Sequence, residues 1–301
     1  MFPSSVLMIS PAKFGFNPQT AVNNSFQSDD SNIDDTQIQE LAEIEFSVFV
    51  NILRSIRVDV EVFKDSAEPL TPDAIFPNNW ISFHETGEIV LYPMFALNRR
   101  LERRMDIVEH CKKSAGFTKV IDLSYYEEKG LYLEGTGSMV LDRENKIAYA
   151  CKSARTSKEV FMVFCAKLGY TPVFFEAANE DGGEIYHTNV LMTIGNGFSL
   201  VCLDAVQGRD SQNEIITSLA LNGKEIIPIS IAQMNAFAGN MLQVFNKRDQ
   251  SYLVMSKTAY GALTAAQIAR IEAHANPLIV PLGTIEKFGG GSARCMLAAM
   301  S

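Results

Sequence analysis

The stretch GGGSARCMLAA, residues 289–299, sets a cysteine behind three glycines and ahead of a short apolar run. Glycine allows a sharp bend or a close approach of backbone to another group. Cys295 is therefore either a small packed residue or a thiol presented at a turn. The same punctuation occurs four times upstream, as FPNNWISF (76–83), EGTGSMVL (134–141), YHTNVLMTI (186–194) and FAGNMLQVF (237–245). In each, a small or polar residue leads into a short apolar strand. Aligned at Asn79, Gly137, Asn189, Asn240 and Arg294 (or Cys295 beside it), these corners are 58, 52, 51 and 54 residues apart.

Helical periodicity fills the intervals, at about 36–56, 99–114, 157–168, 211–221 and 264–275. Four of these segments begin with a capping-box pattern: Thr36 with Gln39, Thr156 with Glu159, Ser211 with Glu214, and Thr264 with Gln267. The fifth reads RRLERRMDIVEHCKKSAG and stops at Gly116. A turn and a further strand follow most corner strands, as in WISFHETGEIVLYP. The pattern is five strand–strand–strand–helix modules, none of which can bury its apolar face alone. Five such units close around an axis as a pseudo-symmetric, five-bladed α/β propeller, with sheets inside and helices outside. An open α/β sheet is the alternative. No GxGxxG or GxxxxGK[ST] sequence supports nucleotide binding.

Composition narrows the function. Twenty-six basic and 35 acidic residues give a net charge of -9, which argues against a nucleic-acid surface. No apolar run is long enough to span a bilayer. The opening MFPSSVLMISPAKFGFN has neither a basic segment nor a long apolar one, so no signal peptide is expected. Five cysteines without CxxC spacing argue against a disulfide framework or a zinc site and fit a reducing, cytoplasmic setting. Homo-oligomerisation is left open.

The corners converge at one end of the axis, each offering one side chain. Corner two brings Glu134, corner three His187 and corner five Cys295. A thiol beside a base is activated as a nucleophile, and histidine can carry protons to a leaving group. His84 at a hairpin turn, with His110 and His274 on outer helices, reads as solvated or structural. Cys111 and Cys165 in helices, and Cys151 and Cys202 in strand contexts, read as packing residues.

The EG strand start, the His-x-Asn corner and the terminal GGGxxRCM resemble the guanidino-group-modifying enzymes of the pentein fold. That superfamily includes arginine deiminases, dimethylarginine hydrolases, agmatine deiminases and amidinotransferases. FPNNWISFH together with YHTNVLM is similar to its citrulline-utilisation branch. The resemblance covers the whole chain, residues 1–301, as one catalytic domain. It implies a cofactor-free, metal-free hydrolase that cleaves a C–N bond of a small guanidino or ureido amino acid and releases ammonia. Cys295 would attack the central carbon, His187 would move protons, and Glu134 would hold the substrate's terminal nitrogens. Arg155 would receive the α-carboxylate, with Arg99 or Arg100 the weaker candidate. An amidinotransferase, with an amine as acceptor, is the closest rival; a non-catalytic ribosome-binding pentein is the distant one.

Arginine deiminases carry Asp where this chain has Asn79 and Asn189. An amide offers a donor as well as an acceptor, which suits a neutral ureido carbonyl. A one-residue shift would make Asn78 the functional member of its pair. Asn240, at the fourth corner, is a further ligand candidate. Asn17 and Asn24, in FGFNPQTAVNNSFQ (14–27), read as part of a lid.

Overall fold

The computed structural model describes residues 3–29 and 33–300. Among the described residues, fifteen strands form five three-stranded sheets. In chain order they are β1 (Ser5–Ser10), β2 (Asp59–Lys64), β3 (Ile81–Phe83), β4 (Glu88–Leu91), β5 (Lys119–Asp122), β6 (Val140–Asp142), β7 (Ile147–Cys151) and β8 (Thr171–Phe175). The rest are β9 (Met192–Ile194), β10 (Phe198–Val201), β11 (Glu225–Pro228), β12 (Leu242–Phe245), β13 (Ser251–Ser256), β14 (Asn276–Val280) and β15 (Ala298–Met300).

Four sheets share one plan. A short hairpin such as β6–β7 is antiparallel, and a helix then crosses over to a parallel third strand, here β8. A parallel partner needs such a crossover because a tight turn cannot reverse direction twice. The fifth sheet, in the order β15–β1–β2, is assembled from both ends of the chain, with β15 antiparallel to β1. β15 also packs against β3, β6 against β9, and β9 against β12, so the inner strands surround the axis. The expected five-bladed α/β propeller is observed.

The middle strands are covered on both faces, and β7 is buried along its whole length. The outer helices bury a single stripe. Helix Asp35–Ser55 turns Ile38, Ala42, Phe46, Phe49, Val50 and Leu53 inward, at the spacing of one helical face. No helix among the described residues is long and apolar enough to cross a membrane.

Helix ends differ from expectation. Thr264 and Gln267 form the predicted capping box. Asp34, not Thr36, caps the first outer helix, accepting from Thr36 N at 3.0 Å. Ser157 and Gly208 precede the helices Lys158–Leu168 and Arg209–Leu221 without a side-chain cap. The predicted helix 99–114 is two pieces, Leu97–Arg100 and Met105–Ser114. The break accompanies the burial of Arg99, which is held by Glu102 through two hydrogen bonds of 2.9 and 2.8 Å.

Candidate active site

Glu134 precedes the helical turn Gly135–Ser138, and His187 precedes the turn Thr188–Leu191. Asn79 ends the short turn Pro77–Asn79, while Asn240 and Cys295 lie just before β12 and β15. Asn24, Asp73, Phe76, Asn79, His187 and Cys295 are among the residues walling a small cavity. Its free volume of ≈ 10 Å³ is close to the space of one water.

Glu134 is fully buried. Its Oε2 is paired with His187 Nε2 at 2.9 Å and lies 3.5 Å from Arg155 Nη1 and 3.9 Å from Arg99 Nη1. Its Oε1 accepts from Phe95 N at 3.0 Å. Burial alone would raise its pKa, but Arg155, the His187 bond and Arg99 outweigh that and hold it well below the usual carboxylate range. An ionised carboxylate only accepts, so the hydrogen is assigned to His187 Nε2, which leaves Nδ1 with the free lone pair. Burial brings His187 down to about 4, despite the Glu134 bond that favours its charged form.

Two amides meet the thiol. Asn189 Nδ2 is 3.5 Å and Asn240 Nδ2 3.3 Å from Cys295 Sγ. Both amides point an N–H at the sulfur. Asn189 is thus turned to the Cys295 thiol and is not among the residues walling this cavity. Asn79 does line the cavity. Its Oδ1 accepts from Arg99 Nη1 at 2.7 Å, and its Nδ2 has no partner. Asn78 is packed against Thr136, to which it donates at 3.3 Å, and is not part of the cavity wall.

Close packing explains two glycines. A Cβ at Gly137 would lie 2.4 Å from Asn79 Nδ2 and 2.7 Å from His187 Nδ1. Gly290 adopts φ +62, and a Cβ there would meet Asn24 Nδ2 at 2.5 Å. The glycine run thus lets the backbone before Cys295 close against the amino-terminal segment.

That segment does cover the site. Asn24 donates to Gly290 O at 3.3 Å, and Asn17 donates to Asp73 Oδ2 at 2.8 Å. Arg155 is buried, but its Nε donates to Asn23 Oδ1 at 2.8 Å and its Nη2 to Thr20 O at 2.7 Å. The expected carboxylate receptor is therefore occupied by the chain itself. Arg99 lines the same cavity, whereas Arg100 donates to the carbonyls of Met94 and Phe95.

Asp73, Glu102 and Tyr186 were missed from sequence. Asp73 lies 3.8 Å from Arg99, and the Tyr186 hydroxyl donates to Gly290 O at 2.7 Å. The only available signals were the position of Asp73 just before FPNNW and of Tyr186 just before His187. His84 is buried, not solvated, and shares a 2.8 Å bond with Ser82. His110 and His274 pair with Glu61 and Glu225 away from the site. Cys111, Cys151, Cys165 and Cys202 are buried free thiols, and burial pushes all four upward.

No curated protein matches this chain. Among solved structures, the substrate-bound N-terminal domain of ArgZ, a cyanobacterial arginine dihydrolase, is similar with a TM-score of 0.73 and 19% identity. The match covers 99% of this chain and 98% of that one. AgrE in complex with L-arginine has a TM-score of 0.75 at 19% identity; 99% of this chain matches only 40% of that longer protein. A dimethylarginine dimethylaminohydrolase carrying an S-methyl-L-thiocitrulline adduct has a TM-score of 0.64 at 15% identity, over 100% of both chains. These likenesses establish the fold as that of the pentein guanidino-modifying enzymes. Residues 10–301 match the family described as N,N dimethylarginine dimethylhydrolase, eukaryotic, and the chain belongs to that family of hydrolases.

Proposed function

We propose that residues 1–301 act as one catalytic domain, which hydrolyses a C–N bond of an arginine-type guanidino or ureido amino acid through a Cys295 adduct. The observation that carries this reading is the buried Glu134–His187 pair sharing a site with an amide-lined thiol. His187 Nδ1 takes the thiol proton, and the thiolate adds to the central carbon. The C–N bond then breaks, and the proton on His187 leaves with the departing ammonia or amine. His187 next takes a proton from water, whose hydroxide adds to the thiouronium carbon. Collapse breaks the C–S bond and returns the thiol, with a ureido product from a guanidino substrate; a ureido substrate, through the corresponding thiocarbamate, gives a carbamate that loses carbon dioxide. Glu134 stays ionised throughout and stabilises the transient imidazolium, while Asn189 and Asn240 steady the sulfur charge.

Asn79 supports binding of a ureido group. Arg99 holds its oxygen, so its unpartnered Nδ2 is presented as a donor. A ureido oxygen accepts such a bond; a guanidinium has no acceptor to offer. The substrate's carboxylate would displace Asn23 from Arg155, replacing a neutral acceptor by a charged one.

The test incubates the protein with arginine, asymmetric dimethylarginine or citrulline, each with and without an added amine, and identifies products by mass spectrometry. The expected products are ammonia or dimethylamine with citrulline from the first two, and ornithine with carbon dioxide and ammonia from citrulline. Transfer to the amine would favour an amidinotransferase, and no turnover of any of the three would overturn the proposal. Asn79→Asp should lower the citrulline-to-arginine ratio of kcat/KM by roughly tenfold or more, the scale of one charge-assisted hydrogen bond. A constant or rising ratio removes Asn79 from substrate selection.

A further inference from the structure

A second cavity lies along the axis, walled by residues of β6, β9, β12 and β15. It reaches Asn189 and Arg294, the neighbours of the Cys295 thiol. Its free volume is ≈ 50 Å³, several times the space one water needs. Two guanidinium groups line it. Arg143 Nη1 donates to Phe83 O at 2.8 Å, and Arg294 Nη1 donates to Leu297 O at 2.8 Å. Neither side chain has a carboxylate within 4.0 Å among the described residues, and each keeps further N–H donors unused.

Asp142, Gln243 and Thr193 on the wall are already engaged, while Asn189 Oδ1 has no partner. Asp142 lies 3.6 Å from Lys224 and accepts from Asn145 Nδ2 at 2.8 Å. Gln243 Oε1 accepts from Asn196 N at 2.6 Å, and Thr193 Oγ1 donates to Gly239 O at 2.6 Å. Burial, and next the positive charge of Arg143, bring Arg294 down to about 10. Two partly desolvated like charges without a counter-charge are costly. In a chain of net charge -9, these two half-buried groups form a local concentration of positive charge at the cavity.

We infer that the axial cavity binds one small tetrahedral oxyanion, of the size of inorganic phosphate, between the guanidinium groups of Arg143 and Arg294. The planar fork of each arginine matches two oxygens of such an ion, and a dianion would neutralise the pair. The site connects to the catalytic centre through Arg294. Its backbone N–H donates to Asn240 Oδ1 at 3.0 Å, and Asn240 in turn meets Cys295 Sγ. Binding there does not depend on the proposed reaction.

The experiment titrates the full chain with inorganic phosphate at constant ionic strength, by calorimetry. Saturable binding of one phosphate per chain is expected. Arg143→Gln should weaken it by at least tenfold. Arg143→Lys should weaken it less, because charge is kept and the fork is lost. Arg155→Gln, which alters the catalytic cavity instead, should leave it unchanged. Circular dichroism establishes that each variant is folded, and if Arg143→Gln is not, Arg143→Lys supplies the same comparison. Absence of saturable binding, unchanged affinity in the folded Arg143 variant, or loss of binding in Arg155→Gln would each overturn the inference.

Discussion

His187 is uncharged at neutral pH because it is buried, and because the partner that would favour its charge is offset by Arg155 and Arg99. An imidazole with a folded pKa of about 4 stays a base far below the ordinary 6.5. Activity resting on it should persist as pH falls from 7 to 5.5 and decline toward 4. The free-enzyme profile of kcat/KM reports this directly; half-loss near 6.5 would contradict the assignment. His187→Asn should slow turnover by about 10²–10⁴-fold and abolish that acidic limb, whereas a merely structural role would leave the profile's shape intact. The same depression links to stability. Between about 6.5 and 4 the unfolded chain binds the proton that folded His187 refuses, so stability falls as pH falls through that window.

At the scale of elements, helix ends separate sequence pattern from three-dimensional use. Thr264 takes the Gln267 N–H at 3.2 Å and Gln267 Oε1 accepts from Thr264 N at 2.9 Å. Thr264→Ala should therefore cost about 1 kcal/mol, read by chemical denaturation. Ser211→Ala should cost much less, because the residue before its helix is Gly208 and Ser211 lies inside the first turn. Equal losses would mean that the capping pattern acts at both sites. The patterns at Thr36, Thr156 and Ser211 misled because the box is defined by three-residue spacing alone. The first outer helix is capped two residues earlier than the pattern placed it, by Asp34, which accepts from Thr36 N. Thr156 instead accepts from Ser153 Oγ at 3.3 Å within the turn that carries Arg155.

The whole molecule closes by pairing its last strand with its first, β15 with β1. Ala298 and Met300 are buried there, and β15 also supports β3. Deleting the chain from Ala298 onward exposes the edge of β1 and an inner face of the ring. The loss of strand pairing and Met300 burial, about 3 kcal/mol, should lower Tm by roughly 6–12 °C. An unchanged Tm would show that the four remaining sheets hold the ring without its closure.

Some of this was legible in one dimension. The repeat of 51–58 residues and its corner residues reflect local requirements. Each corner needs a turn before a strand, and each module needs one helix to cross over, so spacing and periodicity carry the fold. Glu134 and His187 meet because equivalent corners of a closed ring must converge. Partner choice within the site was a different matter. That Asn189 serves the sulfur, Asn79 the cavity, and Asn23 the Arg155 guanidinium depends on side-chain directions set by packing between distant segments. Asp73 and Glu102 gain their place only because Arg99 is driven inward and a buried guanidinium must be surrounded by acceptors. Adjacent asparagines look alike in a sequence, and only the folded ring decides which of Asn78 and Asn79 keeps a free donor on the cavity wall.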